Sequence, residues 1–327
     1  MIVSRTPLRI SFAGGGTDLK AFYEIEPGAV VGTTINKYIH IMVNQPVDKT
    51  IKIGYWKTEI VDSVKNIEHA IVREVLKYTG LSSSIEVACV SDVPPGTGLG
   101  SSGSFTVGLL NALNAHKSTP TSKEELAKEA CFIEIDLLGS PVGKQDQYLA
   151  ASGGLQYVQF NPDETVSRTP IACSNDTKNK LNENLMLFYT GQSRSAYSIL
   201  LKQRAKTKNR VEFQILKEIK SVAEKMTQLL MGDGDLKEFG ELLHEEWIHK
   251  KRLVDGISNE NIDHYYDKAL AAGAIGGKIS GAGGGGFLLL YCEQDKQRKV
   301  REALQGLKEV EFAFETKGTT IIDLNSY

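Results

Sequence analysis

Between Pro94 and Ser104 the chain reads Pro94-Pro95-Gly96-Thr97-Gly98-Leu99-Gly100-Ser101-Ser102-Gly103-Ser104, a glycine- and serine-rich stretch between two ordered segments. Ile85-Glu86-Val87-Ala88-Cys89-Val90 before it reads as a strand, and the apolar run Phe105 to Leu113 after it reads as a helix. A loop of this kind suits an anion. Its glycines let the backbone approach a ligand, and the unpaired N–H groups of the first helical turn carry the positive end of the helix dipole. Phosphate is the expected ligand. A plain turn capped by Ser101 or Ser102 needs only one Gly and one Ser, fewer than are present. No Gly-Lys-Ser/Thr follows as in a P-loop, and the spacing of Gly96, Gly98 and Gly100 differs from the dinucleotide fingerprint.

Two further glycine stretches could meet a ligand. Ala13-Gly14-Gly15-Gly16-Thr17-Asp18 ends a strand-like run, Val3 to Phe12, that Pro7 interrupts. It is either a flexible turn or backbone packed against a ligand, with Thr17 and Asp18 as acceptors for hydroxyls, and the residue types leave both open. Gly276 to Gly286 includes Lys278-Ile279-Ser280-Gly281-Ala282-Gly283 and runs into the strand Leu288-Leu289-Leu290-Tyr291. It is not a P-loop, because Ala272 and Ile279 stand where Gly and Ser/Thr are required, and it opens no helix.

Acids and bases are sparse around these loops. Glu134 lies in the apolar stretch Ala130-Cys131-Phe132-Ile133-Glu134-Ile135, with Glu129 and Asp136 as competing carboxylates nearby. Asp146 sits in Gly143-Lys144-Gln145-Asp146-Gln147, where it could be a helix cap or a base. Thr190-Gly191-Gln192-Ser193-Arg194-Ser195-Ala196 is a surface turn or a second anion site, since Arg grips phosphate bidentately.

The elements that position these residues follow from pattern. Strands are expected at Tyr38–Val43, Thr50–Tyr55, Gly154–Phe160 and Leu185–Thr190. Helices are expected from Asn66 to Tyr78, from a Thr121/Glu124 capping box to Gly139, over Ser195 to Ile257 as two long helices broken at 232–235, over Asn259 to Ala272, and from Gln297 to Leu307. Strands near 310–314 and 319–322 are expected to finish a second domain, with a polar connector around Ser174–Lys180 marking the boundary. At 327 residues, with 41% apolar and 24% charged content, the chain is of ordinary globular composition and long enough for two domains. A net charge of −2 offers no general attraction to nucleic acid or anionic membranes, and no apolar run is long enough to span a bilayer. The expected setting is cytoplasmic. Cys89, Cys131, Cys173 and Cys292 lack paired spacing and are expected as buried thiols.

Taken together the motifs resemble those of the GHMP kinases. Pro94 to Ser104 is similar to the family's Pro-x-x-x-Gly-Leu-x-Ser-Ser motif, the turn at Gly14–Asp18 to its first motif, and Lys278 to Gly286 to its third. The resemblance implies an α+β, two-domain GHMP kinase fold, with an N-terminal ribosomal-protein-S5-like domain (1–180) and a C-terminal ferredoxin-like domain (181–327). It implies ATP and Mg²⁺ as cofactors. By position, Pro95, Gly96, Thr97, Gly98, Leu99, Gly100, Ser101, Ser102, Gly103 and Ser104 would bind the nucleotide, and Ser102 and Glu134 the metal. Asp146 would be the base, with Lys144 and Arg9 beside it. Gly15, Gly16, Thr17, Asp18, Asp146, Ser193, Arg194, Gly281 and Gly283 would bind the acceptor. Within the family, Gly14–Asp18, Gly143–Gln147 and Ser193–Ser195 look most like the kinases of heptose 7-phosphate, whose acceptor is the anomeric hydroxyl. The Gly-Glu-His-Thr-Asp usual in galactokinase is absent. The implied partners are a sugar phosphate and ATP, with a homodimer left open; the alternatives are another sugar such as fucose, or a non-catalytic sensor of the same fold.

Overall fold

The computed structural model describes residues 1–191, 196–232 and 234–322. Two long strands, Ile2–Ala13 and Gly28–Asn44, pair antiparallel at the centre of a nine-stranded sheet. Their inward residues, among them Leu8, Ile10, Phe12, Val30 and Ile41, are fully buried and form the first core. Ile85–Ser91 continues the sheet antiparallel to the second long strand and lies parallel to Ile51–Gly54.

The helix Ser101–His116 packs on both long strands and is buried almost all round, which explains its uniformly apolar sequence. Its Gly108 permits the close approach: a Cβ there would lie 2.6 Å from Thr6 Oγ1, and Ser4 Oγ donates to the Gly108 carbonyl at 2.8 Å. The next helix, Lys123–Cys131, starts with a capping box one residue later than its sequence suggested. Ser122 and Glu125 form it, while Thr121 Oγ1 accepts from Asn114. Beyond Cys131 the chain widens into a π-helix, Phe132–Leu137, which carries Glu134.

The second layer is a four-stranded antiparallel sheet in the order Lys308–Glu309, Leu185–Tyr189, Phe287–Tyr291, Gly276–Ile279. It packs with Arg210–Met231, Leu236–Lys251 and Glu260–Ala271 around Trp247, Ile219 and Leu288. Several expectations are corrected here. The connector at 174–184 is itself a helix, Asn175–Asn184, capped by Ser174. The long helical stretch breaks twice, because Ala196–Lys206 ends before Arg210–Met231 begins. The strands expected to finish the second domain return to the first: Phe314–Glu315 pairs with Gly28–Asn44, and Thr320–Ile322 with Ile2–Ala13. Cys131 and Cys292 are buried, Cys89 and Cys173 partly so, and all four are free thiols. Among the described residues, no helix is long and apolar enough to cross a membrane.

Candidate active site

The three glycine stretches meet. In the loop, Gly96, Gly98 and Gly100 take φ of +74°, +87° and +75°, a conformation a side chain would strain. Gly98 also lies against the Ser280 carbonyl, and Gly281 against the Gly98 backbone, so close that a Cβ on either would collide. The helix Ser101–His116 begins with no side chain capping it, which leaves its first-turn N–H groups facing the cleft.

Arg9 joins this loop to the acid behind it. Its Nε donates to Asp146 Oδ1 at 2.7 Å, its Nη1 to the Gly98 carbonyl at 2.7 Å, and its backbone N–H to the Leu99 carbonyl at 3.0 Å. Gly100 leaves room for it, since a Cβ there would sit 2.8 Å from Arg9 Cγ. Gly103 does the same for Asp146, whose Cβ would lie 2.7 Å from an added methyl. Arg9 is 4% exposed, and Asp146 opens to the cleft.

Glu134 is 1% exposed and is held by Ser102 Oγ and by Gln147 Nε2, the latter at 2.8 Å. Burial raises its carboxyl above the usual range; the hydrogen bonds from Ser102 and Gln147 oppose this, and the Asp146 charge adds to it. The competing acids lie elsewhere, Glu129 against Tyr78 and Asp136 at the exposed surface. One hydroxyl and one carboxylate beside a phosphate loop fit Mg²⁺, which takes few protein ligands and completes its shell with phosphate oxygens and water. No cluster of three or more His, Cys, Asp or Glu able to hold a metal occurs among the described residues.

On the other side Asp18 is 2% exposed and accepts from Gly16 N at 3.0 Å, Gln145 N at 3.2 Å and Gln145 Nε2 at 2.9 Å. Burial, then the charge of Asp146, raises its carboxyl. The turn is anchored below by a buried pair: Lys278 Nζ donates to Glu246 Oε1 at 3.1 Å and to the Phe12 carbonyl at 2.9 Å, and Glu246 Oε2 accepts from Gly14 N at 3.4 Å. Asp18, Asp146, Arg9 and Ser102 line a cleft of about 840 Å³, while Glu134, Glu246 and Lys278 are buried behind its wall. Its far end is aromatic, with His69 stacked on Phe105 at 5.1 Å and edge-on to Tyr55 at 4.8 Å.

Not every expected residue faces this cleft. Arg9, Gly15, Gly16, Asp18, Asp146, Gly281, Pro95, Gly96, Gly98, Gly100, Ser101 and Ser102 line it. Lys144 turns away: its Nζ pairs with Glu164 and sits 4.6 Å over the Tyr23 ring, so it does not reach Asp146. Thr17 staples the turn, donating to the Gly14 and Ala29 carbonyls at 2.8 and 2.9 Å. Ser104 Oγ donates to the Pro7 carbonyl at 2.9 Å, Leu99 is buried, and Gly283 packs on Ile257. Thr97 Oγ1 bonds the Pro94 carbonyl at 2.8 Å, and Gly103 serves Asp146 as described. Ser193 and Arg194 lie outside the described residues.

The structure adds residues that the motifs did not single out: Ser11, Gln145, Gln203 and Lys250 all line the cleft. Lys250 had a signal in the helical spacing, because it falls on the same face as Leu243, Glu246 and Trp247.

Comparison with known proteins bears on the family and the fold. The family described as GHMP kinases N terminal domain matches residues 64–154, and GHMP kinases C terminal matches 216–308. The chain is 31% identical to D-glycero-alpha-D-manno-heptose 7-phosphate kinase of Campylobacter jejuni, covering 97% of each. It is 27% identical to a galactokinase of Pyrococcus furiosus, covering 97% of this chain and 96% of that one. A solved D-glycero-D-manno-heptose 1-phosphate kinase from Bacteroides thetaiotaomicron superposes with a TM-score of 0.82 at 26% identity, over 99% of both chains. With both family halves matched in order over a cleft built from three converging glycine loops, the chain belongs to the GHMP kinases, ATP-dependent phosphotransferases with an alcohol group as acceptor.

Proposed function

We propose that the protein transfers the γ-phosphoryl group of ATP to the anomeric hydroxyl of D-glycero-D-manno-heptose 7-phosphate, giving the 1,7-bisphosphate. The observation that carries this is the Arg9 bridge, which sets Asp146 between the phosphate loop and the acceptor turn at Gly15–Asp18. The 31% likeness to a heptose 7-phosphate kinase along nearly the whole chain supports the choice of sugar.

The backbone N–H groups from Gly96 to Ser102 hold the ATP phosphates, and the aromatic end around His69 and Phe105 takes the base. Ser102 and Glu134 hold Mg²⁺, which when bound offsets phosphate charge. Asp146 accepts the proton of the acceptor hydroxyl, or orients it, and Arg9 fixes the carboxylate for that task. Asp18 accepts hydrogen bonds from sugar hydroxyls while Gln145 holds it in place. Catalysis then rests on positioning and electrostatics. Arg194 is proposed, on its sequence setting alone, to add a guanidinium to the grip on the 7-phosphate. The division into 1–180 and 181–327 is proposed likewise; the four-stranded sheet entered at Leu185 supports it as far as Glu309, beyond which 314–315 and 320–322 pair into the first sheet.

The test is ATP consumption with a panel of sugars bearing and lacking a terminal phosphate. Turnover confined to heptose 7-phosphate is expected; preference for fucose or galactose would replace the acceptor, and absence of turnover with any sugar would leave a sensor.

A further inference from the structure

Gly15 is a glycine that its own backbone does not require. Gly14 and Gly16 take φ of +91° and +102°, whereas Gly15 is not in that region, and a Cβ built on it would meet nothing nearer than 3.9 Å. What surrounds that point is polar and comes from separate elements. Lys250 Nζ lies 3.9 Å away, Gln145 Nε2 4.0 Å and Ser11 Oγ 4.0 Å.

Lys250 is 4% exposed, and its Nζ donates to the Gly281 carbonyl. It forms no ion pair among the described residues, although its cationic neighbours are matched: Lys278 pairs with Glu246 at 3.1 Å and Arg9 with Asp146 at 2.7 Å. Ser11 Oγ has no hydrogen-bond partner among the described residues, nor has Gln203 Nε2, which presses against Gly16 and belongs to a side chain 4% exposed. Buried donors without acceptors and a buried cation without a counter-ion are costly in an empty protein, and an oxyanion in the recess would satisfy them together.

We propose that the recess over Gly15 is the subsite for a phosphate monoester carried by the acceptor, with Lys250 as its counter-charge and Ser11 and Gln203 as donors. This deepens the reading above and rests on it in one respect, that the acceptor bears a phosphate. Burial, then the charges of Lys278 and Arg9 that face it, bring Lys250 down to about 7, while Glu246 and Asp18 oppose that. Anion binding therefore draws a proton onto Lys250.

The test is calorimetric titration of the intact protein, its nucleotide side filled with AMP-PNP, by heptose 7-phosphate and separately by inorganic phosphate. Lys250→Met and Gly15→Ala should each weaken both ligands by about tenfold or more. Lys250→Met should also abolish the proton uptake seen on binding above pH 7, which a loss of fold would not mimic if the variant melts as a single cooperative unit. Wild-type affinity and proton uptake in Lys250→Met would overturn the subsite, as would a loss confined to Arg194→Ala or the absence of saturable phosphate binding to the wild type. If the wild type ignores heptose 7-phosphate yet binds inorganic phosphate through Lys250 and Gly15, the subsite stands and the choice of heptose fails.

Discussion

Arg9 holds Asp146 through Nε at 2.7 Å while its Nη1 holds the Gly98 carbonyl at the same distance. One guanidinium thus fixes the separation between the Asp146 carboxylate and the glycine loop at Gly98. A lysine could supply the charge but not this two-pronged geometry.

Asp146→Asn keeps the shape and a hydrogen-bonding group for Arg9 but removes the proton acceptor. Turnover should fall about 10²- to 10⁴-fold with ATP affinity nearly unchanged, as read by steady-state rates and nucleotide titration. Full activity in this variant would take Asp146 out of the mechanism.

Gly98→Ala places a methyl on a residue with φ of +87° and drives it into the Ser280 carbonyl. The cost should be about 1–3 kcal/mol of stability together with a raised KM for ATP, because the phosphate loop and the third glycine stretch can no longer close on each other. Chemical denaturation and initial rates check both halves.

Glu134 is buried, and its carboxyl is raised above its usual value of 4.5. A carboxyl raised on folding favours the folded state at low pH, and that benefit is lost as pH climbs from 4.5 through the folded value. Glu134→Gln should therefore melt no lower than the wild type at neutral pH without ligands. Its Mg²⁺-dependent activity should nevertheless drop about 10- to 100-fold. A Ser102→Ala variant with unaltered Mg²⁺ dependence would remove the metal role from this pair.

Lys250 carries the opposite sign. Its ammonium is lowered on folding to about 7 from 10.5, so the unfolded chain binds more protons between those values and stability rises across that window. Lys250→Met should stabilise the ligand-free protein by about 1–3 kcal/mol near pH 7, with the gain shrinking toward pH 10. A gain independent of pH would contradict the assigned burial of charge.

Much of the site was legible because its chemistry depends on local backbone. Gly96, Gly98 and Gly100 must be glycine for φ and for close approach, and that need is written in consecutive letters. Glu134 lay in an apolar run, but only the family resemblance set it apart from Glu129 and Asp136; its burial is a finding of the structure. What escaped was long-range. Lys144 neighbours Asp146 in sequence, but it lies at the N-cap of the helix Gln145–Ser152 and its side chain runs to Glu164. Strands 314–315 and 320–322 resemble any short strand, and only their pairing with the first sheet reveals where they belong. Lys250 was hidden among Glu245, His249 and Lys251, where one helical face is buried and the other wet.

The central claim is tested most directly by incubating the purified protein with MgATP and heptose 7-phosphate and identifying the product by phosphorus NMR. The account predicts a new anomeric phosphate on a sugar that keeps its 7-phosphate, formed with one ADP per phosphate transferred and lost in Asp146→Asn. An unchanged sugar, or phosphate placed on any other hydroxyl, would contradict it.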